Sequence, residues 1–378
     1  MKKNILITGG AGFIGSNLAL NLLSRGHTVT VLDNLSPQVH GDDPEQSPLF
    51  LSIKDKVEFV QGDVCDREQL QRALKNKDIV VHLAAETGTG QSMYEIAKYT
   101  RVNVQGTALI LDVLANENIK VEKIVLASSR AVYGEGKYRC EEHGSIYPSS
   151  RSDENMSRGD FEVKCPICNK DAEALSTDEN ALLHPSSIYG ITKQIQEQLI
   201  FTIGKALQIP TVIFRYQNVY GPGQSLTNPY TGMLSIFSTR IRNGSGINIF
   251  EDGKESRDFV FIDDVVAATV RGIELEGLHA EVLNVGSGVA SDVLSIANTL
   301  KRLLNGTASI EVSGQYRQGD IRHNFADMTK VRAVLGFEPS VTVEEGLRRF
   351  VTWVISELVQ VDRYEESLRE LQEKGLFK

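Results

Sequence analysis

The sequence predicts an α/β protein: a Rossmann-type doubly wound parallel sheet, a smaller α/β substrate lobe and a polar insertion. Three observations predict it. Short β-branched runs alternate with helical stretches through the first 130 or so residues. A glycine-rich turn joins the first run to the first helix. A chain of 378 residues with 41% hydrophobic composition is long and apolar enough for a large sheet and a second lobe. In order, Asn4 to Thr8 is the first strand, a helix starts at about Gly12, and Thr28 to Asp33 is the second strand. Val57 to Asp63, Asp78 to Ala84 and Glu122 to Ser128 follow, separated by helical stretches such as Ser92 to Asn116. The rhythm stops at Gly134 and resumes near Ser187. After Pro210, Thr211 to Tyr216 is a further strand leading into the turn-rich Gly221 to Gly232. The expected division is therefore a nucleotide-binding domain at 1–133, 187–222 and about 257–277, an insertion at 134–186, and a substrate lobe at 223–256 and 278–378.

Composition narrows the class. Lys+Arg 40 against Asp+Glu 49 gives a net charge of -9, so there is no basic field to gather nucleic acid or anionic lipid. No apolar run approaches a membrane span, and the start at Ile5 to Thr8 is too short for a signal segment. A cytoplasmic protein is expected, with its four cysteines reduced.

The turn Thr8-Gly9-Gly10-Ala11-Gly12-Phe13-Ile14-Gly15 has glycines where a dinucleotide site needs them. Gly9 permits the tight turn, Gly12 lets backbone approach a pyrophosphate, and Gly15 lets helix pack on strand. Glycines collect in loops for other reasons too, so context matters. Asp33 ends the second strand, where a carboxylate accepts both ribose hydroxyls of NAD and repels the additional phosphate of NADP. Asp63 and Val64 follow the third strand beside the expected adenine, and Leu83-Ala84-Ala85 offers a small-residue passage after the fourth.

Tyr189-Gly190-Ile191-Thr192-Lys193 puts a phenol and an ammonium one helical turn apart. A free phenol titrates near ~10, and a neighbouring cation favours phenolate, which then removes a proton from a sugar hydroxyl. Alone, this spacing equally describes an exposed helix start. Ser129, at the carboxyl end of a strand, is placed to hydrogen-bond the reacting oxygen, or is simply a turn residue.

Nearly the whole chain resembles the extended short-chain dehydrogenase/reductase family, the NAD-dependent epimerases and dehydratases of sugar nucleotides. The glycine turn, Asp33-Asn34, Leu83-Ala84-Ala85, Asn103, Ser129, the Tyr189/Lys193 pair and Arg215-Tyr216-Gln217-Asn218 carry the resemblance. It implies NAD as cofactor, with Phe13, Ile14, Asn34 and Asn103 among its contacts and Tyr216 in the nicotinamide pocket. It also implies a sugar-nucleotide substrate held by Thr87, Ser129, Asn218, Arg257, Arg317 and Asp320. The two arginines suit a diphosphate and Asp320 its ribose, although each arginine alone reads as a surface charge.

The segment after the serine separates reaction types. The family's 4,6-dehydratases resemble Thr-Asp-Glu there, whereas this chain has Ser129-Arg130-Ala131 and lacks both carboxylates. A 4-epimerase working through a 4-keto sugar is expected instead. With the Gly134 to Cys140 and Glu86 to Ser92 segments, the pattern looks most like the branch interconverting dTDP-L-rhamnose and dTDP-6-deoxy-L-talose. UDP-glucose or UDP-N-acetylhexosamine 4-epimerases are the nearest rival. A 4-keto-deoxysugar reductase consuming external NADH and a non-catalytic NAD-binding regulator are the readings from other classes. Family dimers suggest a homodimer through Ser92 to Asn116 and Ser187 to Gln208.

Inside the insertion, Cys140-x2-His143 and Cys165-x2-Cys168 form two ligand pairs, each followed by a residue tolerant of left-handed backbone, Gly144 and Asn169. Three thiolates and an imidazole close a tetrahedral structural zinc site and explain how so polar a segment stays ordered. The competing reading is a pair of reduced or redox-active thiols. Cys65 stands apart as a packing residue.

Overall fold

Seven parallel strands form the centre of the computed structural model, which describes residues 1–378. They are β1 (Asn4–Thr8), β2 (Thr28–Asp33), β3 (Glu58–Gln61), β4 (Ile79–His82), β5 (Lys123–Ser129), β6 (Thr211–Tyr216) and β7 (Ala280–Val285). Their order across the sheet is β7-β6-β5-β4-β1-β2-β3, reversing direction between β1 and β4. Alternation along each strand divides its side chains between two cores. Ile5, Ile7, Val81 and Val125 point into one, with the helices Phe13–Ser24 and Ile262–Glu274. Leu6, Val80, Ile124 and Leu126 point into the other, with Gly106–Asn116 and Ile188–Leu207. Both faces are covered, as runs of β-branched residues require.

Three features differ from the sequence reading. β7, left with the second lobe, pairs with β6 from Ala280↔Thr211 to Val285↔Tyr216, because its buried Leu283 and Val285 need cover on both sides. The Ser92–Asn116 stretch is not one helix: short turns lead into a π-helical segment, Thr100–Gln105, before Gly106–Asn116. Within residues 257–277, only the helix Ile262–Glu274 packs on the main domain, while Ser256–Phe261 joins a second sheet with Asn218–Tyr220, Ala290–Asp292 and His323–Asn324. No helix is long and apolar enough to cross a membrane.

The insertion has its own order. Tyr138–Cys140 pairs antiparallel with Gly144–Ile146 and with Glu173–Ala174 over a small core of Tyr138, Cys140, Ile146, Val163, Cys165 and Ala172. It is fastened to the lobe by buried charge. Arg151 donates to Glu135 (3.2 Å), to both Glu251 oxygens (2.9 and 2.7 Å) and to the Asp320 carbonyl (3.1 Å). Arg322, fully buried, pairs with Glu162 of the insertion and with Glu251 and Asp252.

Glu255, beside this network, has an oxygen with no partner, and burial pushes its carboxyl up to about 7. The folded chain therefore keeps that proton between about pH 4.5 and 7, where the unfolded chain releases it. Stability is fully present below the unfolded value and is lost as pH rises through about 7, a loss of about 3 kcal/mol at ~1.4 kcal/mol per tenfold. Glu255→Gln is expected to flatten this slope: melting temperatures compared at pH 5 and pH 8 fall less for the variant than for the parent.

Candidate active site

The first turn after β1 is built by contacts that exclude side chains. A Cβ on Gly9 (φ +70°) would lie 2.6 Å from the Ala84 nitrogen, and one on Gly15 would lie 2.5 Å from the Gly9 carbonyl. Gly12 caps the helix Phe13–Ser24 without any side-chain bond, leaving the first N–H groups of the helix toward a cavity of about 440 Å³. Asp33 is locked beside them, one oxygen accepting from Ala11 N and the other from Leu35 N, each at 2.9 Å. Buried His40 approaches it to 3.9 Å.

The cavity is lined by Gly9, Gly12, Phe13, Ile14, Gly15, Asp33, Asn34, Asp63, Val64, Leu83, Ala84, Ala85, Thr87, Ser129, Tyr189, Lys193, Tyr216 and Asn218, all expected there. Asn103 does not line it. That residue is fully buried in the π-helical segment and braces its surroundings, bonding Glu86 N (2.8 Å), Glu86 O (3.1 Å) and Thr192 Oγ1 (3.0 Å). It thus ties the loop after β4 to the helix of Tyr189. Arg257, Arg317 and Asp320 also lie outside the cavity lining and pair among themselves, Asp320 accepting from Arg257 at 3.3 Å and from Arg317 at 2.8 Å. Gln217, which carries no expected role in the Arg215-Tyr216-Gln217-Asn218 motif, lines the cavity with both amide atoms buried and unpartnered. Its burial on a strand end could not be read from neighbouring residues.

Tyr189 and Lys193 are set by the start of Ile188–Leu207. Ser187 caps this helix through Gly190 N (3.2 Å), and Gly190 lets it approach the turn after β5, since a Cβ there would lie 2.5 Å from the Ala131 carbonyl. Lys193 Nζ donates to the Ala127 carbonyl (2.7 Å) and lies 5.9 Å from the Tyr189 ring centre. Burial lowers its ammonium to about 7, with Glu197 opposing. Burial thus opposes the lysine charge expected beside Tyr189. Burial raises the Tyr189 phenol, while a hydrogen bond with Ser129 and the Arg130 charge act to lower it. Glu197 is itself engaged by Ser128 (2.5 Å) and by two Arg215 nitrogens (2.9 and 2.7 Å). Tyr216 is fixed by its hydroxyl on Thr269 (2.7 Å), and Asn218 by donation to the Asp258 carbonyl (3.0 Å).

A second cluster sits in the insertion, where Cys140, His143, Cys165 and Cys168 bring their ligand atoms within 4.8 Å of one another. Cys140 Sγ is 3.5 Å from His143 Nδ1 and 3.6 Å from Cys168 Sγ, and Cys165 Sγ is 3.6 Å from His143 Nδ1. Gly144 and Asn169 adopt positive φ, 68° and 60°. Burial would raise the Cys140 thiol, but His143 and the backbone N–H groups outweigh it and hold it at about 6.

Comparison with known proteins agrees with this architecture. The chain is 38% identical over 358 residues to the dTDP-L-rhamnose 4-epimerase of Burkholderia thailandensis, covering 94% of this chain and 96% of that protein. A UDP-N-acetyl-alpha-D-glucosaminuronate decarboxylase of Bacillus cytotoxicus is 28% identical, with 93% and 98% covered. Among solved structures, UDP-glucose 4-epimerase of Thermotoga maritima with UDP-glucose superposes at a TM-score of 0.75 and 29% identity, covering 93% of this chain and 99% of that one. UDP-glucuronic acid 4-epimerase of Bacillus cereus, in complex with UDP-glucuronic acid and NAD, gives 0.75 and 26% over 93% and 99%. The model of the NAD-dependent epimerase/dehydratase family matches residues 5–152 and 166–286, and with the seven-stranded sheet, its glycine turn and Asp33 this means that the chain belongs to that family.

Proposed function

We propose that the protein is a sugar-nucleotide 4-epimerase that keeps its NAD through each turnover, with dTDP-L-rhamnose and dTDP-6-deoxy-L-talose as its substrate pair. The observation that carries this reading is one cavity with the glycine turn and Asp33 at one end and Ser129, Tyr189 and Lys193 at the other, followed by Arg130 and Ala131 rather than two carboxylates. The residues present fit NAD. The open helix start receives the pyrophosphate, Asp33 the adenosine ribose, and the unpartnered Gln217 amide a polar group deeper in the cavity. When bound, NAD would supply the hydride chemistry at sugar C4, as acceptor and then as donor to the opposite face of the ketone. Tyr189 takes the proton of the C4 hydroxyl and gives it back, Ser129 holds that oxygen, and Lys193 orients the cofactor ribose and the phenol. With no acid at 130 and no base at 131, water is not eliminated from the ketone.

The test is incubation with dTDP-L-rhamnose, and separately with UDP-glucose or UDP-glucuronate, without added cofactor, following C4 configuration by NMR. Epimerisation of the first without net NADH supports the reading. Stoichiometric consumption of added NADH points to a reductase instead. Asp33→Ser is expected to weaken NAD binding by about 10–100-fold, the worth of one or two hydrogen bonds to a charged group, and to narrow the preference over NADP. Equilibrium titration of both cofactors checks it.

The same reading includes a structural zinc held by Cys140, His143, Cys165 and Cys168. A tetrahedron of Zn–S bonds of about 2.3 Å has edges of about 3.8 Å, close to the 3.6 Å between the Cys140 and Cys168 sulfurs, and all four ligand atoms lie within 4.8 Å of one another. It also includes a homodimer through Ser92 to Asn116 and Ser187 to Gln208, where half-exposed Ile191 is left uncovered, to be checked by sedimentation. Four unpaired thiols suit a reducing compartment.

A further inference from the structure

The carboxylate of Asp33 has a neighbour that no motif in the sequence marks. Beyond β2 the chain turns through the short helix Pro37–His40, and the last residue of that helix brings its side chain back to Asp33. His40 lines the same cavity as Asp33, Asn34 and Ser36. Its imidazole is only 1% exposed. Nδ1 meets Ser47 Oγ at 2.9 Å, whereas Nε2 makes no hydrogen bond within the protein and lies 3.9 Å from Asp33 Oδ1. Ser47 is diverted to this contact: it holds the cap position of the helix Pro48–Ile53 and gives that helix no side-chain bond, although serine is a favoured cap.

The ring's orientation follows from these partners. Burial keeps it neutral against the pull of the Asp33 charge, so it carries one proton. A proton on Nε2 faces a carboxylate and leaves Nδ1 to accept from the Ser47 hydroxyl, while the other tautomer would turn a lone pair toward Asp33. The donor and the carboxylate are too far apart for a direct bond, and their separation is one that a single oxygen spans by accepting from the first and donating to the second. Asp33 has room for it. Oδ2 accepts from Ala11 N and Oδ1 from Leu35 N, each at 2.9 Å, and each oxygen keeps a second lone pair. A hydroxyl both donates and accepts at one atom. A phosphate oxygen has no proton to give Asp33, and a bare carbon does neither.

We propose that His40 binds the adenosine ribose of NAD, its Nε2–H donating to the same hydroxyl that donates to Asp33 Oδ1. The inference rests on the NAD reading above and gives a second side chain to a contact assigned there to Asp33 alone. The ribose is then read as donor and as acceptor, which favours an unmodified hydroxyl over both its phosphorylated and its deoxy forms.

The experiment titrates NAD and its 2′-deoxyadenosine and 3′-deoxyadenosine analogues calorimetrically into the whole chain freed of bound nucleotide. His40→Phe keeps a ring in place and removes the donor. It is expected to weaken NAD by about 3–20-fold, and one of the two deoxy analogues by less than about twofold, because the hydrogen bond it deletes has no partner there. His40→Gln, which keeps an N–H donor, falls closer to the parent. A residue that only braced Asp33 would act through that carboxylate, so the comparison is repeated on Asp33→Asn, where His40→Phe is expected to keep a hydroxyl-dependent loss. Unchanged thermal unfolding shows that the variant is folded, and His40→Leu repeats the comparison if the Phe variant is not. Equal losses for NAD and both analogues, or no further loss on Asp33→Asn, overturn the proposal. If the parent binds no NAD, the cofactor reading itself fails, whereas a parent that prefers NAD to a deoxy analogue while His40→Phe keeps that preference in full sinks only the role of His40.

Discussion

Tyr189→Phe is expected to lower kcat by about 10²–10⁴-fold, the usual worth of a positioned acid–base group, while KM and NAD content change little. The ring stays, so its packing and the 6.5 Å edge contact with Tyr99 are preserved, and only the proton-carrying oxygen is lost. The free protein holds this phenol protonated, because burial outweighs Ser129 and Arg130. Loss of the proton to the cavity must therefore be coupled to binding, where a positive cofactor ring adds to the nearby cations. Burial lowers the Lys193 ammonium toward neutrality, so its charge contributes more at low pH than at high pH. Steady-state rates by NMR, with NAD quantified after denaturation, check the prediction. A Phe variant retaining more than about a tenth of the parental kcat would remove Tyr189 from the proton path.

Stripping the proposed zinc is expected to unfold the insertion and cost several kcal/mol, because a structural metal contributes its binding energy to folding. The parent should hold one zinc per chain and react slowly with thiol reagents, since Cys65 is half-buried and burial pushes its thiol up to about 11. After chelation, Cys140, Cys165 and Cys168 become titratable and the segment becomes protease-sensitive. Cys165→Ser reproduces the loss of metal without chelator. Metal analysis finding no zinc, with all four thiols titrating at once in the native protein, would end the proposal.

Much of the site was legible because its chemistry is local. The glycine turn, Asp33 at a strand end and the one-turn spacing of Tyr189 and Lys193 are set by backbone geometry within a few residues, and the cavity brings them together. What stayed hidden depends on partners distant in the chain. Arg257 and Asp320 looked like free ligand groups, but which groups neutralise them is decided by the meeting of residues 257 and 320–322. Asn103 read as a cofactor contact, and only the π-helical segment turns it toward Glu86 and Thr192. β7 comes late in the chain, after the helix Ile262–Glu274, and nothing local assigned it to the main sheet before its pairing with β6 was known. The metal pairs showed in their spacing, whereas the apolar cluster under them, drawn from Tyr138 to Ala172, did not.

The insertion is joined to the lobe by two arginines whose guanidinium groups are buried. Arg322 is fully buried against Glu162, Glu251 and Asp252, and Arg151 reaches Glu135 and Glu251 from the other side. Trimming the chain to a minimal enzyme without residues 137–174 would remove Arg151 and Glu162 together and leave Glu135 without its counter-charge in the interior, while Arg322 keeps Glu251 and Asp252.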